Sequence, residues 1–343
     1  MKDLPEVTSR VARRTLSWPL GHWYWGDAIC IDGLLAAGET LPEARERAAQ
    51  LLRFWAERVP RGYHDALGPG AAIASLVQQG ELPSAAADRF LEAVEALPEL
   101  YPGVPSLEPH LPRFRFGLCI DAVYHLPPAL AAIGRLRSDE RLMDRGAQMA
   151  LLMLERLRFP GGFAHWYDVA EDRNNGVAWS RGAGWALLGL LDAAALCEER
   201  AVRGDLLSAA AELSTAIAEG AGRDGWGPVL GRPDLPRESS VAAFYLAAAR
   251  HPASPPPNRD DLHRPALDQL LGDIDGQGVF RGVSADVLPT WDTTSYESFV
   301  TEPSPWGQGV ALRALAALSG GHFVPGLPPG SATTGQAGRS PRR

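Results

Sequence analysis

A chain of 343 residues, 45% hydrophobic and 22% charged, has the composition of an ordinary soluble globular protein with enough apolar side chains for one large core or two small ones. Its formal net charge of -8 argues against a surface that binds nucleic acid or an anionic membrane. No apolar run approaches the length of a membrane span, and no apolar segment follows the basic N-terminal residues as it would in a secretion signal. We therefore expect a cytoplasmic protein.

The three cysteines, Cys30, Cys119 and Cys197, are far apart in sequence, and each lies in an apolar helical pattern. This spacing supports neither a metal site nor a disulfide framework. We expect buried free thiols, which suit a reducing compartment.

Helical periodicity dominates the chain, and alternating runs rich in Val, Ile and Thr are scarce. When Gly and Pro residues are taken as signals for helix ends and turns, the sequence predicts about twelve helices. They span approximately residues 4–17, 22–37, 41–58, 67–80, 82–98, 117–135, 138–157, 179–198, 200–220, 238–250, 258–273 and 304–319.

The predicted helices alternate in character along the chain. The odd-numbered ones are amphipathic, as an outer helix should be, whereas the even-numbered ones are small and apolar nearly all round. The N-terminal ends of the even-numbered helices gather aromatic and ionisable residues. Six buried helices running parallel inside six outer ones would bring these ends to one rim.

This arrangement predicts an all-α fold, an (α/α)6 barrel, with a helical solenoid as the alternative. We expect a single barrel domain over residues 1–319. Residues 320–343 lack apolar periodicity and are rich in Gly, Pro and Ser, so we expect a disordered C-terminal tail.

The stretch from Gly161 to Trp185 places a histidine, an arginine and several tryptophans among glycines, directly before an apolar helix. Aromatic rings, a cation such as Arg181 and close backbone approach suit a sugar that carries a carboxylate. The alternative is a glycine-rich loop that caps a buried helix.

Two aspartates are candidates for proton transfer. Asp121 sits early in an otherwise apolar helix, where a carboxylate has no packing reason to be. Burial would raise its pKa and the helix N-terminus would lower it. Asp65 precedes a helix whose first turn holds Pro69. Either aspartate could instead be a helix cap, whereas both at one rim fit a general acid and base across a glycosidic bond.

Five motifs carry a resemblance to known enzymes, and they extend over about residues 20–319. They are His-Asp-Ala-Leu-Gly-Pro-Gly, Cys-Ile-Asp-Ala-Val-Tyr-His-Leu-Pro-Pro, Gly-Gly-Phe-Ala-His-Trp-Tyr-Asp, Trp-Ser-Arg-Gly-Ala-Gly-Trp and the late Glu-Ser-Ser. In this order they resemble the unsaturated glucuronyl and rhamnogalacturonyl hydrolases, glycoside hydrolase families 88 and 105. The tryptophan-arginine-glycine motif and the histidine before it are the specific part.

The resemblance implies an (α/α)6 barrel that hydrates the C4=C5 double bond left on a uronic acid by a polysaccharide lyase. An acid protonates C4, water attacks C5, and the resulting hemiketal opens and expels the aglycone. Asp121 matches the acid/base of the family and Asp65 its partner carboxylate. No cofactor and no metal are required.

The resemblance also implies a set of substrate-binding residues. These are His165, Arg181, Trp179, Trp185 and His110. Trp25, near the start of a predicted inner helix, could line a subsite or belong to the core. Two positions depart from the family pattern: Leu111 stands where some relatives have a basic residue, and Ala183 replaces the usual asparagine. The departures leave the identity of the aglycone open.

The predicted partner is a small oligosaccharide or a glycosylated small molecule, with no nucleic acid and no membrane, and the oligomeric state is left open. Three alternatives remain. An inverting glycosidase on the same barrel would also use paired carboxylates at the rim. A sugar epimerase would need a pair of histidines, and a binding protein on a decayed enzyme scaffold would need no chemistry.

Overall fold

The computed structural model of the chain describes residues 3–21, 25–58, 67–107, 109, 111–112, 114–232, 234–254, 260–321, 324 and 326–327. Each of the predicted helices contains an observed helix. The six even-numbered predictions correspond to helices α2 (Trp25–Ala37), α4 (Gly70–Gln78), α6 (Ala122–Arg137), α8 (Ser180–Leu196), α10 (Ser240–Ala249) and α13 (Pro305–Leu318). The odd-numbered ones correspond to α1 (Leu4–Leu16), α3 (Pro42–Arg58), α5 (Ala85–Glu95), α7 (Glu140–Leu157), α9 (Arg200–Glu219) and α11 (Asp260–Asp273), and a short helix, α12 (Thr294–Glu297), lies before α13.

The six helices that match the even-numbered predictions form a closed inner ring. Each inner helix packs against the next in the order α2, α4, α6, α8, α10 and α13, and α13 packs against α2. Each outer helix packs against an inner one, and α1 closes the outer layer against α13. The predicted (α/α)6 barrel is therefore confirmed, because a solenoid would leave its first and last repeats apart.

Small residues let the inner helices approach closely. A Cβ atom added to Gly309 of α13 would lie 2.5 Å from the backbone nitrogen of Cys30 in α2, and one added to Gly189 of α8 would lie 2.3 Å from the carbonyl oxygen of Val123 in α6. A larger side chain at either glycine would push two inner helices apart, which explains why these helices are built from Ala and Gly.

The prediction of one continuous helix over 117–135 is wrong at its start, because its first residues form strand β3 (Gly117–Cys119). This strand pairs antiparallel with β6 (Trp166–Asp168), which also pairs with β7 (Arg173–Asn174). Two small hairpins complete the described sheets, β1 (Glu99–Tyr101) with β2 (Val104–Pro105) and β4 (Arg158–Phe159) with β5 (Gly162–Phe163). A short apolar run has no periodicity of its own that would distinguish strand from helix.

The chain beyond residue 319 is described in part. Val324 is buried, and the backbone N–H of Gly326 donates to the hydroxyl oxygen of Ser75 on α4. Residues 328–343, which hold most of the predicted tail, lie outside the described residues. In the described part of the chain, no helix is both long and apolar enough to cross a membrane.

A cluster of buried polar side chains ties the inner ring together. Arg313 of α13 donates to both carboxylate oxygens of Asp192 on α8, at 2.7 and 2.9 Å, and to the hydroxyl oxygen of Tyr124 on α6 at 2.9 Å. Tyr124 in turn donates to Asp32 on α2, and the ring of His251, just after α10, lies 3.0 Å from Asp192. Five of the six inner helices therefore end in or pass through one network.

Asp32 is the member of this network whose charge is least compensated. Burial raises its pKa to about 7, although Arg313 and the hydroxyl of Tyr124 oppose that shift. Because the folded state holds this proton more tightly than an unfolded chain does, the carboxyl contributes stability at low pH. That contribution is lost as the pH rises from about 4 through about 7.

We expect the substitution Asp32→Asn to remove this loss. The free energy of unfolding of the variant, relative to the parent, should rise by roughly 2 to 3 kcal/mol between pH 5 and pH 8, because asparagine cannot ionise. Urea unfolding of both proteins, followed by tryptophan fluorescence at several pH values in this range, measures the difference. A difference that stays constant with pH would contradict the assignment.

Candidate functional site

A cavity of about 340 Å³ opens at the rim formed by the N-terminal ends of the inner helices. Its wall combines aromatic, apolar and ionisable side chains from the starts of α2 and α6, from β3 and the chain before it, from the start of β6, from the residues before α4 and α8, and from the segment 286–289. The lining residues that carry chemistry are Cys119, Asp121, His125, His165 and Asp286, with Trp25, Trp166 and Trp179 as the aromatic part. The predicted gathering of these groups at one rim is thus observed.

Asp121 occupies the N-cap position of α6 and lines the cavity. Its backbone lies in the right-handed helical region, with a φ of -65° and a ψ of -21°, and its side chain makes no capping hydrogen bond. The alternative that Asp121 serves as a cap is therefore wrong. Its side chain is directed to the cavity rather than to the backbone of its own helix.

His165 is buried beside Asp121, in the loop that leads into β6. Its Nδ1 atom lies 2.6 Å from the hydroxyl oxygen of Tyr296, which also accepts a hydrogen bond from the Asn175 amide at 3.2 Å. Burial, assisted by the positive charge of Arg181, lowers the pKa of His165 to about 3. The imidazole is consequently neutral at physiological pH and can offer Nε2 to a ligand.

Trp179 forms the part of the cavity wall next to His165. The centroids of the two rings are 4.1 Å apart, and the rings are tilted by 32°. The indole N–H is buried and has no hydrogen-bond partner among the described residues. A buried donor of this kind beside a cavity fits a ligand that brings its own acceptor.

Trp25 also lines the cavity, and its ring packs on that of Trp306 at a centroid distance of 4.6 Å. Trp185 lies deeper than predicted. It is fully buried among Tyr124, Phe244 and Trp25, and it is not among the described residues that line the cavity. It supports the wall from behind, and direct contact with a sugar stays a prediction.

Arg181 is buried completely, one residue into α8. One terminal nitrogen donates to the carbonyl oxygen of Ser284 at 2.5 Å and to its hydroxyl at 2.7 Å, and the other donates to the carbonyl oxygen of Ala285 at 2.9 Å. The guanidinium also packs on the rings of Trp179 and Trp306, at 4.8 and 5.5 Å from their centroids.

Glu238 completes the surroundings of this cation. Its carboxylate lies 3.8 Å from Arg181, accepts from the backbone and hydroxyl of Ser240 at the start of α10, and accepts from the backbone N–H of Ser284 at 2.9 Å. Glu238 thus caps the start of α10 and connects it to the segment around Ser284. Arg181 therefore holds protein groups together, and its contact with a substrate carboxylate stays a prediction.

The glycines of the Trp-Ser-Arg-Gly-Ala-Gly-Trp motif are explained by close contacts. A Cβ atom on Gly182 would lie 2.5 Å from a methyl carbon of Ile120 and 2.5 Å from the indole of Trp179. A Cβ atom on Gly184 would lie 2.6 Å from the ring of Phe244. The motif thus lets α8 pack against the residues that shape the cavity.

Several site residues differ from the sequence-based assignment. Cys119 and Asp286 line the cavity without having been predicted there, and so does His125, which the helical pattern would place in the core. Asp286 lies in an irregular segment that offers no periodicity to interpret. Asp65 and His110 lie outside the described residues, although Leu67 and Leu111 near them in sequence line the cavity.

Solved structures share this fold at low sequence identity. A protein of Salmonella enterica subsp. enterica serovar Paratyphi A, described as a possible member of glycoside hydrolase family 105, is 17% identical with a TM-score of 0.81, and the match covers 93% of this chain and 94% of that one. The unsaturated glucuronyl hydrolase of Bacillus sp. GL1, described as responsible for the degradation of glycosaminoglycan, is 18% identical with a TM-score of 0.70, covering 96% and 98%.

A family 88 glycosyl hydrolase from Bacteroides vulgatus is similar at 15% identity and a TM-score of 0.70, with 92% of this chain and 97% of that one covered. The resemblance predicted from the motifs is therefore confirmed in the fold. The sequence itself matches no protein-family model and no curated protein.

The close contact at Gly182 can be tested by the substitution Gly182→Ala. The added methyl group must displace Ile120 or Trp179, so we expect a loss of about 1–3 kcal/mol in the free energy of unfolding. Gly204→Ala on the exposed face of α9 is the matched control, because nothing lies within 4 Å of its added Cβ. It should gain about 0.5–1 kcal/mol, as expected for alanine in a helix. Equal effects in urea unfolding would contradict the role of Gly182.

The buried cation can be tested by Arg181→Met. This change leaves the Glu238 carboxylate buried without its cation, so we expect a loss of about 3–5 kcal/mol in the free energy of unfolding. Arg264→Met removes an exposed i,i+4 pair with Asp268 and should cost less than about 1 kcal/mol. Chemical denaturation of both variants provides the comparison. A small loss for Arg181→Met would show that the rim does not depend on this cation.

Proposed function

We propose that this protein is a glycoside hydrolase that removes a 4,5-unsaturated uronic acid from the non-reducing end of a short oligosaccharide by hydrating the C4=C5 double bond. The observation that carries the proposal is the placement of Asp121 in the cavity, with a carboxyl group not used for capping and a neutral His165 beside it. The shared fold with the unsaturated glucuronyl hydrolase of Bacillus sp. GL1 supports it.

The cavity fits the size and character of the substrate. Its volume of about 340 Å³ lies at the lower end of small-molecule sites, which favours a saccharide end over a polysaccharide chain. Trp25 and Trp179 offer aromatic faces to a sugar ring, and the indole N–H of Trp179 offers a donor to its oxygen atoms.

The hydration needs one group that first gives and then takes a proton. Asp121 donates its proton to C4, and the positive charge that develops at C5 is shared with the ring oxygen. Water then attacks C5 and returns a proton to Asp121, so the carboxyl is restored. The C5 hemiketal opens at its bond to the ring oxygen, and the hemiacetal left at C1 expels the aglycone as an alcohol.

Negative charges in the cavity favour an acid that carries its proton, although the nearby positive charge of Arg181 opposes this effect. Asp286 lines the same cavity, and an anionic uronate brings a further negative charge toward Asp121. Like charges disfavour ionisation of a neighbouring carboxyl. His165 can donate to or accept from the sugar as a neutral group, because it does not titrate near neutral pH.

Two predicted residues remain part of the proposal although they lie outside the described residues. We assign Asp65 as the partner carboxylate that orients the attacking water and His110 as a contact to the sugar. Leu67 and Gly68, just after Asp65, line the cavity, and so does Leu111, which follows His110. Arg181 packs against Trp179, and its positive charge would attract the substrate carboxylate without direct contact.

One alternative has an observation in its favour. Asp286 is a second carboxylate in the cavity, and an inverting glycosidase on a saturated substrate would use such a pair as acid and base. The epimerase alternative is disfavoured, because a histidine with a pKa of about 3 cannot serve as a general acid near neutral pH.

The reaction is tested with unsaturated disaccharides released by lyases from glycosaminoglycan and from pectin. Hydration removes the conjugated double bond, so the ultraviolet absorbance should fall while a shortened saccharide appears. In D2O the product should carry one deuterium at C4, whereas displacement at the anomeric carbon would leave C4 unlabelled. Absorbance that persists with both substrate types would overturn the proposal, and cleavage of saturated glycosides would favour the alternative.

The acid is tested by Asp121→Asn, which keeps the shape of the side chain and removes its proton chemistry. We expect kcat to fall by about 10²–10⁴-fold while the circular dichroism spectrum stays that of the parent. Asp168→Asn on β6 is the matched control, since that carboxylate accepts from the backbone N–H groups of Ala170 and Glu171 in a turn. An Asp121→Asn variant as active as the control would refute the assignment.

A further inference from the structure

Three potential metal ligands of different chemistry converge in the cavity. They are the thiol of Cys119, the carboxylate of Asp121 and a ring nitrogen of His165, and their ligand atoms all lie within 4.8 Å of one another. Cys119 is not part of a disulfide, and it plays no part in the proposed hydration.

The backbone explains why these three side chains meet. Cys119 is the last residue of β3 and is paired with Trp166 of β6, and the N–H of Ile120 donates to the carbonyl oxygen of His165 at 2.9 Å. Cys119 and Asp121 flank the junction between β3 and α6, and both line the cavity there. The ladder holds His165 against them.

The donor set is one that zinc prefers. Thiolate, imidazole and carboxylate are its usual protein ligands, and three of them with an open fourth position can hold the ion together with water. With bond lengths of about 2.0–2.3 Å, ligand atoms around a tetrahedral zinc are roughly 3.3–3.8 Å apart. The proposed site therefore requires the Cys119 and Asp121 side chains to rotate, so that ligand atoms now within 4.8 Å of one another reach this spacing.

The surroundings of His165 also suit a metal ligand. Histidines that bind a metal through one ring nitrogen are oriented by a hydrogen bond at the other. Tyr296 occupies the neighbourhood of Nδ1, at 2.6 Å, which leaves Nε2 for an ion. When a metal is bound to Nε2, Nδ1 keeps its proton and donates a hydrogen bond to the hydroxyl oxygen of Tyr296.

The charge in the cavity favours a cation as well. Among the described lining residues there are two carboxylates, Asp121 and Asp286, and neither Lys nor Arg. Arg181 lies behind the wall, and the carboxylate of Glu238 at 3.8 Å compensates its charge. A divalent ion that enters the cavity therefore meets net negative charge.

We propose that Cys119, Asp121 and His165 form a binding site for a thiophilic divalent cation, with Zn²⁺ as the best fit, and that this ion inhibits the protein. Binding releases the thiol proton of Cys119 and the carboxyl proton of Asp121 to solvent, and it forms bonds from the metal to sulfur, oxygen and nitrogen. The carboxylate of Asp121 is then a metal ligand and can no longer deliver a proton to a substrate.

Cobalt is the probe for the site, because a thiolate bound to Co²⁺ gives a charge-transfer band in the near ultraviolet. The full chain, freed of metals with a chelator, is titrated with Co²⁺ and then with Zn²⁺. We expect a band that saturates at one Co²⁺ per chain and disappears when Zn²⁺ is added. Cys119→Ser should abolish the band and weaken Co²⁺ binding at least about 10-fold.

Cys197→Ser is the matched control, because Cys197 is a free thiol at the far end of α8 and should leave the band unchanged. A parent protein without the band, or a band that survives in Cys119→Ser, would overturn the site. The inhibition is measured separately as a loss of turnover with Zn²⁺ that a chelator reverses and that Cys119→Ser shifts to at least about 10-fold higher Zn²⁺. Inhibition unchanged by Cys119→Ser would refute that part, and the cobalt titration decides the site even if the proposed hydrolysis fails.

Discussion

The rim of this barrel depends on the burial of one cation, the guanidinium of Arg181. Taking it out of water costs several kcal/mol, so the fold must surround it with acceptors, a carboxylate and aromatic faces. Glu238 and the carbonyl groups of residues 284 and 285 provide the polar part, and Trp306 provides an aromatic face. Because these groups belong to α8, to the start of α10 and to the chain leading into α13, the ion fixes three inner helix ends together.

This constraint shapes how the cavity meets a ligand. Arg181 packs on Trp179, and the ring of His165 packs on the same indole, so the cation supports the wall instead of lining it. A ligand then meets neutral donors, aromatic faces and the carboxylates of Asp121 and Asp286. This lining favours recognition by stacking and hydrogen bonding, and it places the proposed acid, Asp121, among aromatic and apolar side chains.

The sequence predicts the barrel well because its inner helices are apolar on every side, which few other folds require. It predicts the location of Asp121, since a carboxylate in an apolar run is conspicuous. The role of Arg181 could not be predicted in the same way, because its acceptors lie about a hundred residues away in an irregular segment. Asp286 belongs to that segment and was missed for the same reason. The burial of Trp185 behind the cavity wall could not be predicted either, because a motif does not show how deeply a side chain lies.

The pairing of β3 with β6 could not be predicted from the sequence either, because a strand of three residues is too short to show an alternating pattern that would identify its partner. Yet this pairing decides the chemistry of the site, since it places Asp121 beside His165 and brings Cys119 to both. The proposed proton transfer from Asp121 and the proposed zinc site both use this neighbourhood. What separates the two uses is the thiol of Cys119, which adds a ligand for the metal and contributes nothing to the transfer of a proton to carbon.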